Sequence, residues 1–227
     1  MGLLALAIAP GIAICIFIYL KDKFNKEPLG LLLVSFLLGM VAIIPAVLLQ
    51  LISGVSLEAL AGKTLIETAI FAYLVVGLSE EGSKYLMLRL FAYRRLSFDE
   101  PFDGIVYAIM VGMGFATLEN IGYVLQHGIG TGILRMFLSV PAHATFAVLM
   151  GYYLGKAKFD AANRTKYLFL SIFWPVIFHG TFDYFLFIGN TLLNIGGALI
   201  SFIVALQLSK KAIQKHQALS RETYGNL

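Results

Sequence analysis

Several apolar stretches of the chain carry ionisable or amide side chains that could do chemistry away from bulk water. A charged side chain in hydrocarbon costs about 2.5 to 3.5 kcal/mol on insertion scales, so each one is a hypothesis of function. Carboxylates beside imidazoles are groups that activate water by general acid and base catalysis. We therefore predict a single site from eight residues, Glu80, Glu81, Lys84, Glu119, Asn120, His143, His179 and Asp183.

Helical spacing predicts two contacts within this set. Glu80 and Lys84 lie four residues apart, as do His179 and Asp183, and residues at that spacing share one face of a helix. A carboxylate at Asp183 could orient the imidazole of His179 from outside the catalytic group, with Lys84 and Asn120 in similar supporting roles. Glu81 lies about 100° around the helix from Glu80, so we expect the two glutamates to have different functions.

The residue types fit hydrolysis with or without a metal ion. A catalytic zinc ion needs three protein ligands and an open position, and His143, His179 and either Glu81 or Glu119 would supply them. Without a metal ion, Glu80 or Glu81 could take a proton from water while a histidine or Asn120 stabilises the oxyanion. Both alternatives predict hydrolysis of a carbonyl compound, most plausibly a peptide bond.

The elements that must position these residues are membrane-spanning helices. The chain has 227 residues, of which 59% are hydrophobic and 13% are charged, and its mean hydropathy is +0.84. A soluble domain has about 25% charged residues, so a water-soluble enzyme is excluded. We predict an all-α, polytopic transmembrane bundle in one domain, residues 1–209, followed by a short basic cytoplasmic tail, 210–227. Its seven spans lie at roughly 3–20, 29–52, 66–90, 104–126, 133–155, 167–188 and 191–209.

The basic residues predict the orientation of the bundle. Of the 17 lysines and arginines, 14 lie on one side of the predicted spans, and only Lys63 and Arg135 lie on the other. The basic side faces the cytoplasm, so we expect the N-terminus outside and the C-terminus in the cytoplasm. No continuous basic face is present for nucleic acid, and no nucleic-acid partner is expected.

Other residues have structural interpretations. Gly151 and Gly155 have the small-residue spacing that lets a neighbouring helix approach closely. Asp103 is expected to cap the fourth span, with Pro101 fixing the direction in which the chain enters it. His127 and His216 are expected to be solvated and uninvolved in the site.

The sequence leaves two questions open: how deep the two glutamates lie in the membrane, and whether the protein is an enzyme, a transporter or a noncatalytic partner. Glu80 and Glu81 fall in the inner half of the third span, below the histidines, unless this helix starts later or is broken near Gly77 and Gly82. A small transporter that uses the same residues as a proton or ion relay is the rival interpretation. A noncatalytic partner protein would have no need for so many charged residues in the membrane.

The motifs resemble those of the PrsW family of intramembrane proteases. The resemblance covers residues 78 to 185 and is carried by Glu80-Glu81-x-x-Lys84, Asp99-Glu100-Pro101-x-Asp103-Gly104, Glu119-Asn120, His143 and His179-Gly180-x-x-Asp183. It implies that Glu80, Glu81 and His179 form the catalytic core, with Glu119 and His143 beside them. It also implies a multi-pass protein of a bacterial plasma membrane. Its substrate would be a single-span, membrane-anchored anti-sigma factor, whose first, extracytoplasmic cleavage leads to release of a sigma factor.

Overall fold

The protein is described by a computed structural model that covers residues 2–54, 64–189 and 192–225. The described residues form helices and connecting turns, and they contain no strand. The helices, in chain order, are α1 Gly2–Lys21, α2 Leu29–Val41, α3 Ile43–Ile52, α4 Leu65–Ile70, a π-helical segment Phe71–Gly77, α5 Leu78–Leu90, a 3₁₀ turn Ala92–Arg94, α6 Pro101–Phe137, α7 Ser139–Phe159, α8 Arg164–Phe187 and α9 Leu192–Tyr224.

Within the described residues, five helical segments are long and apolar enough to cross a membrane. They are residues 2–21, 29–52, 101–159, 164–187 and 194–224. The predicted all-helical membrane architecture is confirmed at this level. The segment from α4 to α5 is as long as several of these, but it carries the acidic and basic residues of the predicted site. Lys63, one of the two basic residues assigned to the outer side, lies outside the described residues.

The run from Pro101 to Phe159 folds back on itself at Gly128. Gly128 has φ 79° and ψ −166°, in the region that glycine adopts without a steric penalty. The start of α6 consequently packs against the end of α7, where a Cβ atom on Gly104 would overlap the backbone of Gly151. A Cβ atom on Gly155 would overlap the carbonyl of Pro101 in the same way. The close helix approach predicted from Gly151 and Gly155 is thus confirmed.

Helix α6 lies at the centre of the bundle and packs against α1, α2 and α7. Most of its residues from Phe102 to Thr117 are fully buried. Its start is capped as predicted, because the Asp103 carboxylate accepts a hydrogen bond from the backbone N–H of Glu100, and Pro101 occupies the first turn. A central, immobilised α6 holds Glu119 and Asn120 at a fixed position relative to its neighbours.

The last helix, α9, extends well beyond the predicted end of its span. Residue 209 lies in mid-helix, and the helix continues to Tyr224. The expectation that His216 is solvated is wrong, since only 1% of the residue is exposed and its ring stacks on Tyr152 at 4.4 Å. The helical period brings His216 and Ser220 to the same inward face. His127 is exposed, as predicted.

Candidate active site

Four helices bring all eight predicted site residues together. Helix α5 supplies Glu80, Glu81 and Lys84, α6 supplies Glu119 and Asn120, α7 supplies His143, and α8 supplies His179 and Asp183. The two imidazole rings are 5.0 Å apart between centroids and nearly perpendicular, at 89°. The sequence therefore predicted the four helices that build the site and eight of the side chains that meet there.

Glu80 forms a compact group of three possible metal ligands with His143 and His179. Glu80, His143 and His179 each offer one ligand atom, and these atoms all lie within 4.8 Å of one another. Glu81 or Glu119 was predicted from the sequence as the third ligand. The structure places Glu81 and Glu119 each beside one histidine instead, because the 100° rotation between Glu80 and Glu81 turns Glu80 toward the gap between the rings.

His179 lies between carboxylates on both sides of its ring. Its Nδ1 donates a hydrogen bond of 2.8 Å to Glu81, and its Nε2 lies 3.2 Å from the Asp183 carboxylate and 3.8 Å from Glu80 Oε2. The predicted pair of His179 and Asp183 is confirmed. Phe146 stacks on the ring at 5.2 Å, so the orientation of the imidazole is fixed by two acids and one aromatic face.

Lys84 is the buried counter-charge of the two glutamates on its own helix. Its Nζ lies 2.7 Å from Glu81 and 3.5 Å from Glu80, and it donates to His143 Nδ1 at 3.2 Å. The ammonium also lies 4.0 Å from the centroid of the Phe115 ring. The predicted pairing with Glu80 is present, but the closer contact is to Glu81.

Arg135 is a site residue that sequence reasoning missed. The sequence analysis used it only in the charge count, whereas in the structure its side chain points into the bundle and contacts Glu119 at 2.7 Å and the Asn120 side-chain oxygen at 3.0 Å. Glu119 also accepts a hydrogen bond from His143 Nε2 at 3.0 Å. Asn120 in turn donates to the carbonyl of Ala7 and so connects the site to α1.

The site carries a net negative charge when both histidines are neutral. Four carboxylates, from Glu80, Glu81, Glu119 and Asp183, face the two cations Lys84 and Arg135. Glu80 Oε2 is buried and receives no hydrogen bond from the part of the chain that is described. Its charged neighbours, Lys84 Nζ at 3.5 Å and His179 Nε2 at 3.8 Å, lie beyond ordinary hydrogen-bond length, so Glu80 is a candidate ligand for a bound cation.

A cavity of about 950 Å³ opens onto the site. Glu80, Glu119, His143, His179 and Asp183 all line it, whereas Glu81 and Lys84 do not. Most of the remaining wall is apolar and comes from α3, α6 and α8. This cavity is large enough to hold several residues of an extended peptide next to the acids and histidines.

The helix that carries Glu80 and Glu81 changes its geometry just before them. Residues Phe71–Gly77 are π-helical, and π-helical turns in proteins are frequently found at functional sites. Gly77 lies against the backbone of Gly180 on α8, and Tyr73 shares a hydrogen bond of 2.8 Å with Thr181. Of the alternatives considered for this helix, an irregularity near Gly77 is present, whereas Gly82 lies in regular α-helix.

Comparisons with known proteins agree with this geometry. The chain matches the model for "PrsW family intramembrane metalloprotease" over residues 27–209. It is 41% identical over 186 residues to Protease PrsW of Geobacillus kaustophilus, an alignment covering 82% of this chain and 80% of that protein. It is 40% identical to Protease PrsW of Bacillus subtilis, over 82% and 83% of the two chains. With Protease PrsW of Clostridioides difficile it shares 32% identity over 100% of this chain and 97% of the other. No solved structure matches the chain.

Proposed function

This chain belongs to the PrsW family of intramembrane metalloproteases, and from that premise we propose that it makes the first, extracytoplasmic-side cleavage of a single-span, membrane-anchored anti-sigma factor of the bacterial plasma membrane, which leads to release of a sigma factor. The protein is a peptidase and a multi-pass membrane protein. Family membership favours the peptidase over the transporter that the same charged residues would suggest. The anti-sigma substrate rests on the resemblance of the motifs, and the cavity that opens onto the site supports a peptide as its ligand.

Seven crossings, with the N-terminus outside and the C-terminus in the cytoplasm, account best for the helices. Residues 101–159 supply two passes because the chain reverses at Gly128, and the other four apolar segments supply one each. The helical run from Leu65 to Leu90 supplies the seventh. Its charged residues are compatible with a crossing because Glu80, Glu81 and Lys84 face the interior of the bundle and one another.

A divalent metal ion, which we propose to be zinc, would be held by Glu80, His143 and His179. The donor set of two imidazoles and one carboxylate is typical of catalytic zinc sites. The buried Glu80 Oε2, which receives no hydrogen bond from the described residues, supports this assignment. So does the excess of acidic side chains in the site, four against the two cations Lys84 and Arg135, which a divalent ion would balance. Glu81 would orient His179 through its Nδ1, as carboxylates commonly do behind ligating histidines.

The chain's own residues suggest how a proton would be moved during hydrolysis. The bound metal ion would supply Lewis-acid activation of water and of the scissile carbonyl. Glu119 is the most open of the four carboxylates, with 20% of its side chain exposed, and it lines the cavity. We assign to its carboxylate the acceptance of the proton from water and the transfer of that proton to the leaving amine. Arg135 holds this carboxylate in place.

Glu81 has a different position and, in this proposal, a different role. Only 1% of its side chain is exposed, and it contacts Lys84 and His179 rather than the cavity. A carboxylate so enclosed cannot reach a substrate water directly. Of the two neighbouring glutamates, Glu80 would therefore contribute through the metal ion and Glu81 through the orientation of His179.

The experiment uses the purified protein in detergent with a single-span anti-sigma factor as substrate. Cleavage is followed by mass spectrometry and bound metal by elemental analysis, before and after chelation. The parent is expected to cleave with about one zinc ion per chain and to lose activity on chelation. Glu80→Gln and His179→Ala are expected to lose both the metal ion and the cleavage.

Two control variants remove the same kinds of side-chain group, a carboxylate and an imidazole, at exposed positions. Glu222→Gln and His127→Ala change exposed residues and are expected to cleave like the parent. Cleavage by Glu80→Gln at the parental rate would refute the proposed metal group. Cleavage of unrelated single-span proteins but not of the anti-sigma factor would refute the substrate while leaving the peptidase assignment intact.

A further inference from the structure

The mouth of the active-site cavity lies beside α3, the second half of the apolar segment 29–52. Six residues both line the cavity and are exposed, and they define this mouth: Val47, Leu51, Gly54, Tyr123, Gln126 and Leu186. The first three belong to α3 and to the turn that follows it, and Leu51 is 71% exposed. Helix α3 is therefore a wall one helix thick, with the cavity on one side and the outside of the described structure on the other.

The two sides of this mouth differ in chemistry. On the α3 side, Val47 and Leu51 present exposed apolar side chains. On the other side, α6 presents the phenol of Tyr123 and the amide of Gln126. A membrane-spanning peptide uses both kinds of surface, because it arrives as an apolar helix and must unwind to expose a peptide bond, which frees backbone groups that need new hydrogen-bond partners. A lipid acyl chain would use only the apolar side.

Helix α2, which precedes α3, is fixed against the centre of the bundle. A Cβ atom on Gly39 would overlap the backbone of Val111, and one on Gly114 would overlap the carbonyl of Phe36. Because α2 and α6 pack backbone to backbone at these two points, α2 has no room to shift relative to α6. The first half of the segment 29–52 is therefore a fixed base for the second half.

A break in the helix separates α3 from this base. Helix α2 ends at Val41 and α3 begins at Ile43. Pro45, in the first turn of α3, has no N–H to donate to the carbonyl of Val41, so a helical hydrogen bond across the break is missing. Within the described chain, Ala46 is the one buried residue of α3. The joint at residues 42–45 can therefore bend while α2 stays in place.

One polar contact attaches α3 to the helix that carries the catalytic glutamates. Gln50 Nε2 donates to Ser79 Oγ at 3.2 Å, and Ser79 directly precedes Glu80. In the part of the chain that the structure describes, no other side-chain hydrogen bond joins α3 to another helix. Loss of one neutral hydrogen bond changes an equilibrium by about 2- to 12-fold, so a modest interaction with a substrate is enough to displace α3.

We propose that α3 is the entry wall for the substrate: the membrane-spanning segment of a single-span substrate docks against Val47 and Leu51, and α3 moves about residues 42–45 to admit it to the acids and histidines. The partner is thus a peptide that reaches the enzyme sideways from the bilayer. This inference rests on the peptidase assignment and takes its test substrate, the anti-sigma factor, from the proposed function.

Photocrosslinking of the full-length protein tests where the substrate docks. A benzophenone-bearing residue replaces Leu51 or Val47 on a Glu119→Gln background, which keeps the bound substrate intact, and the sample is irradiated with the single-span anti-sigma factor. Leu33 of α2 and Leu74 of the π-helical segment are 60% and 59% exposed but lie outside the cavity, so they serve as matched positions. Capture from the two α3 positions should exceed capture from the matched positions by about tenfold or more, because a docked chain is held next to the label.

The adducts identify the occupant of the docking surface, and cleavage by the parent is measured in parallel. Equal capture from all four positions would overturn the docking surface. Adducts with phospholipid alone would overturn it in favour of a bound lipid, and adducts with a second copy of the chain in favour of a dimer contact. Cleavage without capture from α3 would overturn it and leave the proposed function intact, whereas capture from α3 without cleavage would support it and refute the proposed substrate.

Hydrogen exchange of the full-length protein in detergent tests the movement of α3 without any substrate. After correction for intrinsic rates, backbone amides of residues 43–52 should exchange about tenfold or more faster than those of residues 33–41, because only α2 is fixed. Gln50→Ala removes the contact with Ser79 and should speed exchange in α3 by a further factor of about 2 to 12 without affecting α2.

A matched variant and two results decide the movement. Gln214→Ala changes an exposed glutamine of α9 and should exchange like the parent. Equal exchange in α2 and α3 would overturn the moving wall, and so would an unchanged rate in α3 of Gln50→Ala. Both results hold whether or not the anti-sigma factor is the substrate, so failure of the entry wall and failure of the proposed function are told apart.

Discussion

Replacing Arg135 with glutamine should impair catalysis through Glu119 without preventing folding. In the structure Glu119 Oε2 is shared between Arg135 at 2.7 Å and His143 at 3.0 Å. A hydrogen bond to a charged group contributes about 1.5 to 3 kcal/mol. Since about 1.4 kcal/mol corresponds to a factor of ten in rate, loss of the Arg135 contact should lower kcat by about 10- to 150-fold. KM should change little, because Arg135 is engaged by Glu119 and Asn120.

The assay for Arg135→Gln is steady-state cleavage of the single-span substrate, with kcat and KM determined separately and metal content measured on the same preparation. Arg135→Lys keeps the charge but not the planar two-point contact, so it should recover only part of the lost rate. Arg94→Gln makes the same change at an exposed position and serves as the control. A kcat for Arg135→Gln within about twofold of the parent, at normal abundance, would refute the reasoning.

Two further substitutions test packing and charge. Lys84→Met leaves Glu80 and Glu81 buried beside each other without their counter-charge, which should cost about 3 to 5 kcal/mol and lower membrane accumulation more than activity per molecule. Quantitative immunoblotting together with cleavage per molecule checks this prediction. Gly151→Ala would push a Cβ atom into the backbone of Gly104 and should destabilise the bundle by about 1 to 3 kcal/mol, seen as a lower Tm in detergent.

Each of these two predictions has a control substitution at a matched position and a result that would contradict it. Lys166→Met removes an exposed lysine and should accumulate normally. Normal abundance of Lys84→Met with no cleavage would instead place Lys84 in the chemistry. Gly30→Ala adds a methyl group in open space and should leave Tm unchanged. An unchanged Tm for Gly151→Ala would mean that the contact of α6 with α7 is less tight than the structure shows.

Contacts within a single helix were predictable from the sequence, because helical geometry fixes which residues share a face. The pairs of Glu80 with Lys84 and of His179 with Asp183 follow from a spacing of four residues, and both occur. The spacing of Gly151 and Gly155 likewise predicted a close neighbouring backbone without identifying it. The structure supplies that partner, the start of α6 at Gly104.

Contacts between helices depend on rotations that spacing does not determine. The choice among Glu80, Glu81 and Glu119 as third ligand depends on how α5 and α6 are turned toward α7, which is why Glu81 or Glu119 was predicted where the structure places Glu80. The burial of acidic side chains near the start of α6 was missed for the same reason. Asp22 and Glu27 lie in the connection between α1 and α2, and the fold buries them, with Glu27 accepting a hydrogen bond from Tyr107 of α6.

The contact of Arg135 with the site could have been predicted from one local feature, the position at which the helical hairpin reverses. Residues equally far from a sharp reversal in a helical hairpin face each other, and the reversal here is at Gly128. Asn120 lies eight residues before this glycine and Arg135 seven residues after it, so their meeting follows once the reversal is located. Three glycines, at positions 128, 130 and 132, crowd this stretch, and composition alone does not single out the one that adopts a positive φ. Only Gly128 does so within the stretch, and its backbone conformation brings the arginine to Glu119.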